Sequence, residues 1–354
     1  MKKSLLATTA LAALGVATVA APASAAGFDL KVGGFMEQWF GYTDTANSVN
    51  SNADAIAEHS DVEIHIKGSN TLDNGLTFGF VVELEAESTG TENADEQYMT
   101  IEGSFGKIIM GSENTAPYLM HYGAKTNGVG VEEGDGNSVW AFGSDGSLSS
   151  TGAKHGAVHN DDNQITFMSP RINGVQVGAS FVPEQDNNDD KVPASAARQT
   201  NSKRDNGFGV AANYETAVSD MSVKLSLGYS DGGDDNSTVG DDTAFSSSLV
   251  LGFGGFTYSL SYVERKNDTA TATNENVVVT SIAYNAGPMG VSLLYANGED
   301  TAGDDKQDFF EIGANYAVGP GVTAKGSIYA WKHKDSGSTA GKGQAVVGGI
   351  ALSF

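Results

Sequence analysis

The last ten residues of the sequence, AVVGGIALSF (345–354), decide the fold. Successive side chains of a β-strand point to opposite faces, so Val346, Ile350, Leu352 and Phe354 share one apolar face if this segment is extended. The other face carries mostly small side chains. Chain ends usually fray in water, whereas this one finishes on an apolar strand with an aromatic residue. We therefore expect this strand to be paired rather than free.

The same alternation recurs along most of the chain, in segments of about nine to sixteen residues, while amphipathic helical periodicity is nearly absent. In residues 62–67, VEIHIK, apolar and charged side chains alternate strictly. The pattern predicts an all-β protein whose strands have one apolar and one polar face. A soluble β-sandwich shows the same period, so the alternation alone leaves that architecture open.

The connections between these segments are of two kinds that follow each other in turn. Short turns occur at DNG 73–75, SFG 104–106, RING 171–174, AGP 286–288 and GPG 319–321. Long polar, acidic loops occupy 44–58, 88–95, 112–163, 184–206, 231–243, 266–275, 298–307 and 334–343. We expect about sixteen strands with long loops on one edge and short turns on the other, which is typical of an outer-membrane barrel.

A membrane explains why such strands would close into a ring. In hydrocarbon every unpaired backbone N–H or C=O group is costly, so strands can span only when the sheet has no edges. The last strand is therefore expected to pair with the first, FDLKVGGFMEQWFGY (28–42), and to leave Phe354 at the membrane interface. The fold class predicted is a transmembrane antiparallel up-and-down β-barrel, whose lumen at about sixteen strands is a water-filled channel.

The N-terminus predicts export. Lys2 and Lys3 precede an apolar run over 5–21, and ASA at 23–25 fits a cleavage site, so residues 1–25 are interpreted as a signal peptide. The barrel domain would then comprise residues 26–354 and reside in the cell outer membrane. A retained membrane anchor is the alternative, but the run is short and alanine-rich for a span.

Composition excludes several other classes. The 354 residues include 44 acidic and 20 basic side chains, and losing Lys2 and Lys3 would change the net charge from -24 to -26. Such a chain is not expected to bind nucleic acid. The absence of cysteine excludes disulfides, and no later run is apolar enough for a spanning helix.

Residues 102–115, EGSFGKIIMGSENT, resemble the turn and strand that precede the third loop in Gram-negative general porins. The signal peptide, the FDLKVGGF opening, the long third loop and the terminal Phe354 also resemble this trimeric sixteen-stranded family, especially its α-proteobacterial members. The resemblance implies a homotrimer in contact with outer-membrane lipid and lipopolysaccharide, with the first strands and loop two at the interface. It further implies that the barrel-assembly machinery reads Phe354 as an assembly signal.

The resemblance also implies that loop three, here about 113–163, folds into the lumen and narrows it. Its acidic residues Glu132, Glu133 and Asp135 would form the constriction. The loop departs from the enteric pattern, because a PEFGG-like sequence is missing. Strand parity predicts the following pore-wall residues, each subject to reversal by a β-bulge: Lys31, His65, Lys67, Glu83, Glu85, Lys224, Arg265 and Lys325.

Other candidate sites have plainer interpretations. The acidic loops could bind structural calcium at Asp189, Asp190, Asp234 and Asp235, or could be solvated loop tips, since none has EF-hand spacing. His155 and His159 form HxxxH, which would need a helix and a third ligand to hold zinc, and are interpreted as loop histidines.

No catalytic group is predicted. GYSDG (228–232) matches the nucleophile-elbow pattern, but its serine lies where a strand meets a loop, not at a strand-to-helix turn. Aromatic residues near strand ends are interpreted as membrane-interface girdles, with a place on the lumen wall, stacking on sugar, as the alternative for some of them. They include Trp39, Phe40, Tyr42, Tyr229, Tyr284, Tyr295, Tyr316, Tyr329 and Trp331.

The predicted function is that of a porin: passive diffusion of small hydrophilic solutes and ions, with a preference for cations, and no enzymatic activity or required cofactor. One alternative is a substrate-selective channel for sugars or organic acids. Another is a secreted all-β adhesin or surface-layer protein, although no repeat of fixed period is visible.

Overall fold

The computed structural model describes residues 27–46, 55–86, 94–129, 158–159, 161–184, 205–233, 242–267, 274–300, 305–334 and 341–354. Sixteen strands and one short helix make up the secondary structure of this part of the chain. The strands are β1 Asp29–Ala46, β2 Ala55–Thr71, β3 Thr77–Glu85, β4 Ala94–Gly103, β5 Gly106–Ser112, β6 Asn163–Met168, β7 Val175–Glu184, β8 Asp205–Val218, β9 Met221–Asp231, β10 Asp242–Phe253, β11 Phe256–Asn267, β12 Asn274–Ala286, β13 Met289–Asp300, β14 Asp305–Gly319, β15 Val322–Lys334 and β16 Gly341–Ser353. The helix is α1 Ala116–Leu119.

The sheet is a closed barrel in which every strand pairs with its sequence neighbours and β1 pairs with β16. The β1–β16 ladder is antiparallel and runs from Phe35 opposite Ser353 to Ala46 opposite Lys342. The predicted fold class and the predicted pairing of the last strand with the first are therefore confirmed. Closure leaves the sheet without an edge, as a lipid environment demands.

Short turns and longer connections alternate around the ring, as predicted. Two further turns, 219–220 and 254–255, complete the short-turn edge. The strands reach farther into the long loops than expected: the connection predicted at 298–307 spans only 301–304. Cross-strand contacts explain the extension, since Lys306 Nζ donates to Glu299 Oε1 at 2.7 Å and Tyr295 Oη donates to Asp308 Oδ1 at 2.6 Å.

The two faces of the sheet differ sharply in chemistry. In β9, Leu225, Leu227 and Tyr229 are exposed, while Ser226 and Ser230, which point to the opposite face, are buried. In β16 and the residue after it, the exposed large apolar side chains are the four predicted to share a face, Val346, Ile350, Leu352 and Phe354. We call the two sides the apolar face and the polar face. The apolar face is the outer surface of the barrel, and the polar face encloses the interior.

Part of the interior is itself apolar, which corrects the predicted aromatic girdle. Trp39, Tyr329 and Trp331 are at most 4% exposed and belong to one buried cluster. They lie on the polar face of β1 and β15, and the ring of Tyr329 stacks against that of Phe309 on β14, with ring centroids 5.3 Å apart. The prediction was wrong for these three residues because closeness to a strand end does not determine the face.

Among the described residues, no helix combines the length and apolarity needed to cross a membrane.

Candidate functional site: the inner wall and the start of loop three

Residues 113–129, which leave the end of β5, run along the polar face of the barrel; we call them the loop-three segment. The backbone N–H groups of Ala116, Tyr122 and Lys125 lie 2.8, 3.1 and 3.2 Å from serine hydroxyl oxygens. These hydroxyls belong to successive regions of the wall, on β7, β9 and β12. The segment therefore follows the wall around the ring.

The same contact continues to β15. The N–H of Asn127 donates to Ser292 Oγ at 2.8 Å, and the N–H of Val129 donates to Ser327 Oγ at 2.8 Å. The hydroxyls that accept from backbone N–H groups of the segment are those of Ser180, Ser226, Ser281, Ser292 and Ser327, which we call the serine anchors. Outside α1 the segment has no regular backbone hydrogen-bond pattern, so these hydroxyl acceptors on the wall stabilise it.

Apolar packing completes the attachment. Ala124 and Val129 of the segment join the buried cluster that contains Trp39, Phe309 and Trp331. Small residues on the wall leave room for the segment, since a Cβ on Gly313 would collide with the backbone of Gly128. The start of the loop thus fits the interior by shape as well as by hydrogen bonding. The prediction that the whole of loop three folds into the lumen concerns mainly residues outside the described part and stays a prediction.

The root of the loop is a buried carboxyl cluster. Asn114 Nδ2 donates to Glu96 Oε1 at 2.7 Å, and Glu96 also hydrogen-bonds to the carboxyl groups of Glu113 and Asp161. Burial raises the pKa of Glu113, and burial together with the nearby Asp95 carboxylate raises the pKa of Asp161 to about 7. A hydrogen bond between two carboxyl groups requires a proton on one of them, which the raised pKa values supply.

His121 and Tyr122 lie in the middle of the segment. His121 Nε2 lies 2.9 Å from Ser261 Oγ, and burial, with a smaller contribution from Lys125, lowers the pKa of His121 to about 4. Its ring is therefore neutral at pH 7. Tyr122 Oη donates to Glu215 Oε1 at 2.6 Å. The pKa of Tyr122 is raised, mainly by burial and to a smaller extent by this carboxylate.

The predicted wall residues of β2 and β3 come together on the polar face. His65 stands opposite Glu83 and Glu63 stands opposite Glu85 in the β2–β3 ladder. Lys67 Nζ lies 3.3 Å from Glu83 Oε1. Sequence reasoning missed three further acids in this sector, and we call the resulting group of carboxylates the acidic wall. Its members are Glu37, Asp61, Glu63, Glu83 and Glu85.

The remaining predicted wall cations each have a carboxylate partner. Lys31 Nζ lies 3.6 Å from Asp29 Oδ2, and Lys325 Nζ lies 3.7 Å from Glu37 Oε1. Arg265 forks onto Asp242, with Nη2 to Oδ2 at 2.5 Å. Each of these cations therefore lies within 4 Å of a carboxylate.

Lys224 belongs to a cluster that the sequence did not reveal. Its Nζ lies 3.3 Å from Glu215 Oε1 and 5.1 Å from the ring centroid of Tyr122. Arg171 Nη2 lies 3.8 Å from the same Glu215 oxygen. Two cations, one carboxylate and a loop tyrosine therefore tie β8, β9 and the turn after β6 to the loop-three segment.

Several predicted residues lie outside the described residues. They are the constriction acids Glu132, Glu133 and Asp135, the calcium candidates Asp189, Asp190, Asp234 and Asp235, the residues of the signal peptide 1–25, and His155.

Two motif residues are described. His159 is buried, with Nδ1 2.8 Å from Asp162 Oδ2 and Nε2 3.2 Å from the Gly232 carbonyl oxygen, so both nitrogens contact protein groups. Ser230 is 1% exposed inside β9, away from any strand-to-helix turn.

A closed sixteen-stranded barrel with an apolar exterior, a charged inner wall and a loop segment along that wall defines a membrane channel of the porin class. The model of the Gram-negative porin family matches residues 7–336. The chain therefore belongs to the Gram-negative porin family, a family of outer-membrane diffusion channels and not of enzymes. A comparison with curated protein sequences found no match.

Solved structures show the same fold at low sequence identity. An anion-selective porin from Comamonas acidovorans is 16% identical, with a TM-score of 0.62 over 92% of this chain and 100% of that one. A porin refined at 1.8 Å resolution is 19% identical, with a TM-score of 0.62 over 92% and 100% of the two chains. The outer membrane protein OmpT of Vibrio cholerae, in its trimer form, is 11% identical, with a TM-score of 0.61 over 93% and 100%.

Proposed function

We propose that this porin is a passive, water-filled channel for small hydrophilic solutes and ions that prefers cations. The observation that carries the preference is the acidic wall, five carboxylates brought together on the polar face of β1–β3. Three basic side chains contact them, those of His65, Lys67 and Lys325. Fixed charge along a pore sets the entry free energy of ions, so an excess of carboxylates favours cations.

The cations elsewhere on the wall support the same direction. Arg265 is paired with Asp242, and Lys224 and Arg171 share Glu215. Cations that are hydrogen-bonded to carboxylates attract anions less than free ones. An anion-selective porin has the same fold, so the proposed cation preference rests on the wall charges of this chain and not on the fold.

The zero-current potential across a planar bilayer in a KCl gradient tests this proposal. The wild-type channel should give a potential of the sign for K⁺ preference, and the triple variant Glu63→Gln, Glu83→Gln, Glu85→Gln should move it toward zero. Glu299→Gln is the matched control, because Glu299 stands on the apolar face of β13. Anion preference in the wild type, or the same shift in the control, would reject the proposal.

We further propose that three copies assemble. The trimer form of the OmpT relative and the apolar exterior of the barrel support this assembly. An SDS-resistant species of three times the chain mass that dissociates on heating is expected. A detergent-solubilised protein that remains monomeric by light scattering would exclude it.

We also propose that residues 1–25 are removed on export and that the barrel-assembly machinery recognises Phe354. A mature N-terminus near Ala26, read by N-terminal sequencing of the outer-membrane fraction, would support removal of residues 1–25. Replacing Phe354 with Ser should lower the assembled fraction in cells without changing refolding in detergent, if the assembly machinery reads this residue.

Structural calcium at Asp189, Asp190, Asp234 and Asp235 would be supported by a chelator-induced fall in thermal stability that added Ca²⁺ reverses.

A further inference from the structure

The polar face of β2 carries an uninterrupted row of charged and metal-ligating side chains. Positions 59, 61, 63, 65 and 67 alternate with apolar or small residues, and they read His, Asp, Glu, His and Lys. Successive members of the row are two residues apart and so project to one side of the sheet. Glu83 and Glu85 of β3 stand directly opposite His65 and Glu63. Six ligand-type side chains therefore line the polar face of this strand pair, and five of them belong to convergent groups.

Three ligand atoms in this area converge on one point. His65 Nε2 lies 2.7 Å from Glu63 Oε2 and 3.5 Å from Glu83 Oε2. One ligand atom each from Glu63, His65 and Glu83 falls within 4.8 Å of the other two. Tetrahedral zinc with nitrogen and oxygen ligands at about 2.0–2.1 Å needs its ligand atoms roughly 3.3–3.4 Å apart, so small side-chain shifts suffice.

Neighbouring residues orient these ligands. Lys67 Nζ contacts Glu83 Oε1 at 3.3 Å and leaves Oε2 directed at His65. The ring of Phe35 packs edge-on against the His65 imidazole, with centroids 6.1 Å apart and planes at 88°. Contacts of this kind fix the direction of ligands around a bound metal. The side chains of His65, Glu63 and Glu83 are 15%, 17% and 14% exposed, so an ion from the lumen can reach them.

The surroundings favour a cation beyond these three ligands. Asp61, Glu63 and Glu85 form a second convergent group that shares Glu63 with the first. The two groups together place four carboxylates and one imidazole in the same sector of the wall, which favours a cation there.

We propose that Glu63, His65 and Glu83 form a binding site for a divalent transition-metal cation of the Zn²⁺ type on the inner wall of the barrel. An imidazole nitrogen with two carboxylate oxygens suits Zn²⁺, Ni²⁺ or Cu²⁺ better than Ca²⁺ or Mg²⁺, which prefer oxygen ligands alone. Three protein ligands leave a fourth position for water, as in open zinc sites. This site goes beyond the proposed diffusion function and does not depend on it.

Calorimetric titration with ZnCl₂ tests the proposal on the full chain, refolded in detergent and freed of metal by a chelator. The wild type should bind Zn²⁺ saturably, and His65→Gln and Glu83→Gln should each weaken binding at least tenfold. Co²⁺ should give a visible absorption band in the wild type that is lost in His65→Gln. Ca²⁺ should not compete at equal concentration.

His333→Gln is the matched control, because His333 lies on the polar face of β15 and belongs to no convergent ligand group of the described residues. It should bind Zn²⁺ within twofold of the wild type. Every variant is first checked for folding by the shift of its SDS-gel band on heating, the heat-modifiable folded band. Glu63→Gln replaces any variant that lacks this band. The proposal is overturned if the wild type binds no Zn²⁺ saturably, or if the ligand variants bind as well as the control.

The outcome is separable from that of the diffusion proposal. Binding is measured in micelles without any bilayer, whereas conduction is recorded in KCl without Zn²⁺. A conducting protein that binds no Zn²⁺ rejects only the metal site, and a Zn²⁺-binding protein that does not conduct rejects only the channel.

Discussion

Gly34 and Phe354 exchange both backbone hydrogen bonds, from Gly34 N to Phe354 O at 3.0 Å and from Phe354 N to Gly34 O at 3.1 Å. This pair continues the β1–β16 ladder past its last strand residue and joins the two ends of the barrel wall. Ring closure therefore extends to the final residue of the sequence. Gly34 is also a close-approach position, because a Cβ there would collide with the carbonyl oxygen of Glu63 on β2.

Replacing Gly34 with Ala should destabilise the barrel. The added methyl must displace the β2 backbone, and the φ of +154° at Gly34 disfavours a side chain as well. We expect a loss of more than about 1 kcal/mol, seen as a lower temperature for loss of the heat-modifiable folded band. Gly319→Ala is the control, since a Cβ there meets nothing within 4 Å. Equal transition temperatures for the two variants would contradict the role given to Gly34.

The serine anchors should hold the loop-three segment to the wall. Changing Ser292 and Ser327 together to Ala leaves the N–H groups of Asn127 and Val129 without their acceptors. An unsatisfied buried N–H costs about 1–3 kcal/mol, so the segment should detach more often and the folded protein should be cleaved faster by a protease. Ser222→Ala, whose hydroxyl contacts the Gly252 carbonyl instead, should leave the cleavage rate unchanged. Equal cleavage rates of the double variant and the control would show that the serine anchors do not hold the loop-three segment to the wall.

Attachment of the segment should depend on the protonation of His121. The lowered pKa of about 4 means that the attached segment stays neutral while a detached one binds a proton below its ordinary pKa of about 6.5. The His121 contribution is thus complete above about pH 6.5 and falls by roughly 1.4 kcal/mol per unit down to about pH 4.

Asp161 acts in the opposite direction, because its pKa is raised to about 7 and protonation favours the attached state. The measurement is therefore the difference in protease cleavage between the wild type and His121→Gln from pH 7 to pH 4. The wild type should become relatively more susceptible as the pH falls. Parallel pH curves would show that His121 does not couple to attachment.

Zinc should change selectivity if both the metal site and the acidic wall act as described. A bound dication offsets carboxylate charge in the pore, so the zero-current potential in a KCl gradient should move toward zero on adding ZnCl₂. The shift should be absent in His65→Gln and present in His333→Gln. A shift of equal size in both variants would assign the effect to another part of the channel.

The barrel could be predicted because its determinants are local and repetitive. Alternation such as VEIHIK and turns such as DNG at 73–75 define strands and their order without any distant information. The need to satisfy every backbone group in lipid then imposes closure. Strand parity also places His65 and Glu83 on one side of the sheet, although it cannot reveal that their side chains converge.

The interior could not be predicted in the same way, because it depends on contacts between residues far apart in sequence. In the sequence nothing distinguishes Ser327 from the other serines. In the structure its hydroxyl accepts from Val129 N–H and donates to Glu311 Oε1 at 2.5 Å. Trp39 and Trp331 are of the residue type found at membrane interfaces, but they face the interior. There the loop-three segment and other wall residues cover them. The sequence signal for the anchors is a serine on the polar face of a strand whose other face is apolar, as with Ser226 between Leu225 and Leu227.

Swelling of proteoliposomes in isotonic sugar solutions tests the central claim, an open water-filled path through the barrel, most directly. An open path of this kind should give swelling that slows steadily from pentose to hexose to disaccharide and rises in proportion to sugar concentration without saturation. Swelling no faster than that of protein-free liposomes, or saturable uptake of a single sugar, would contradict it.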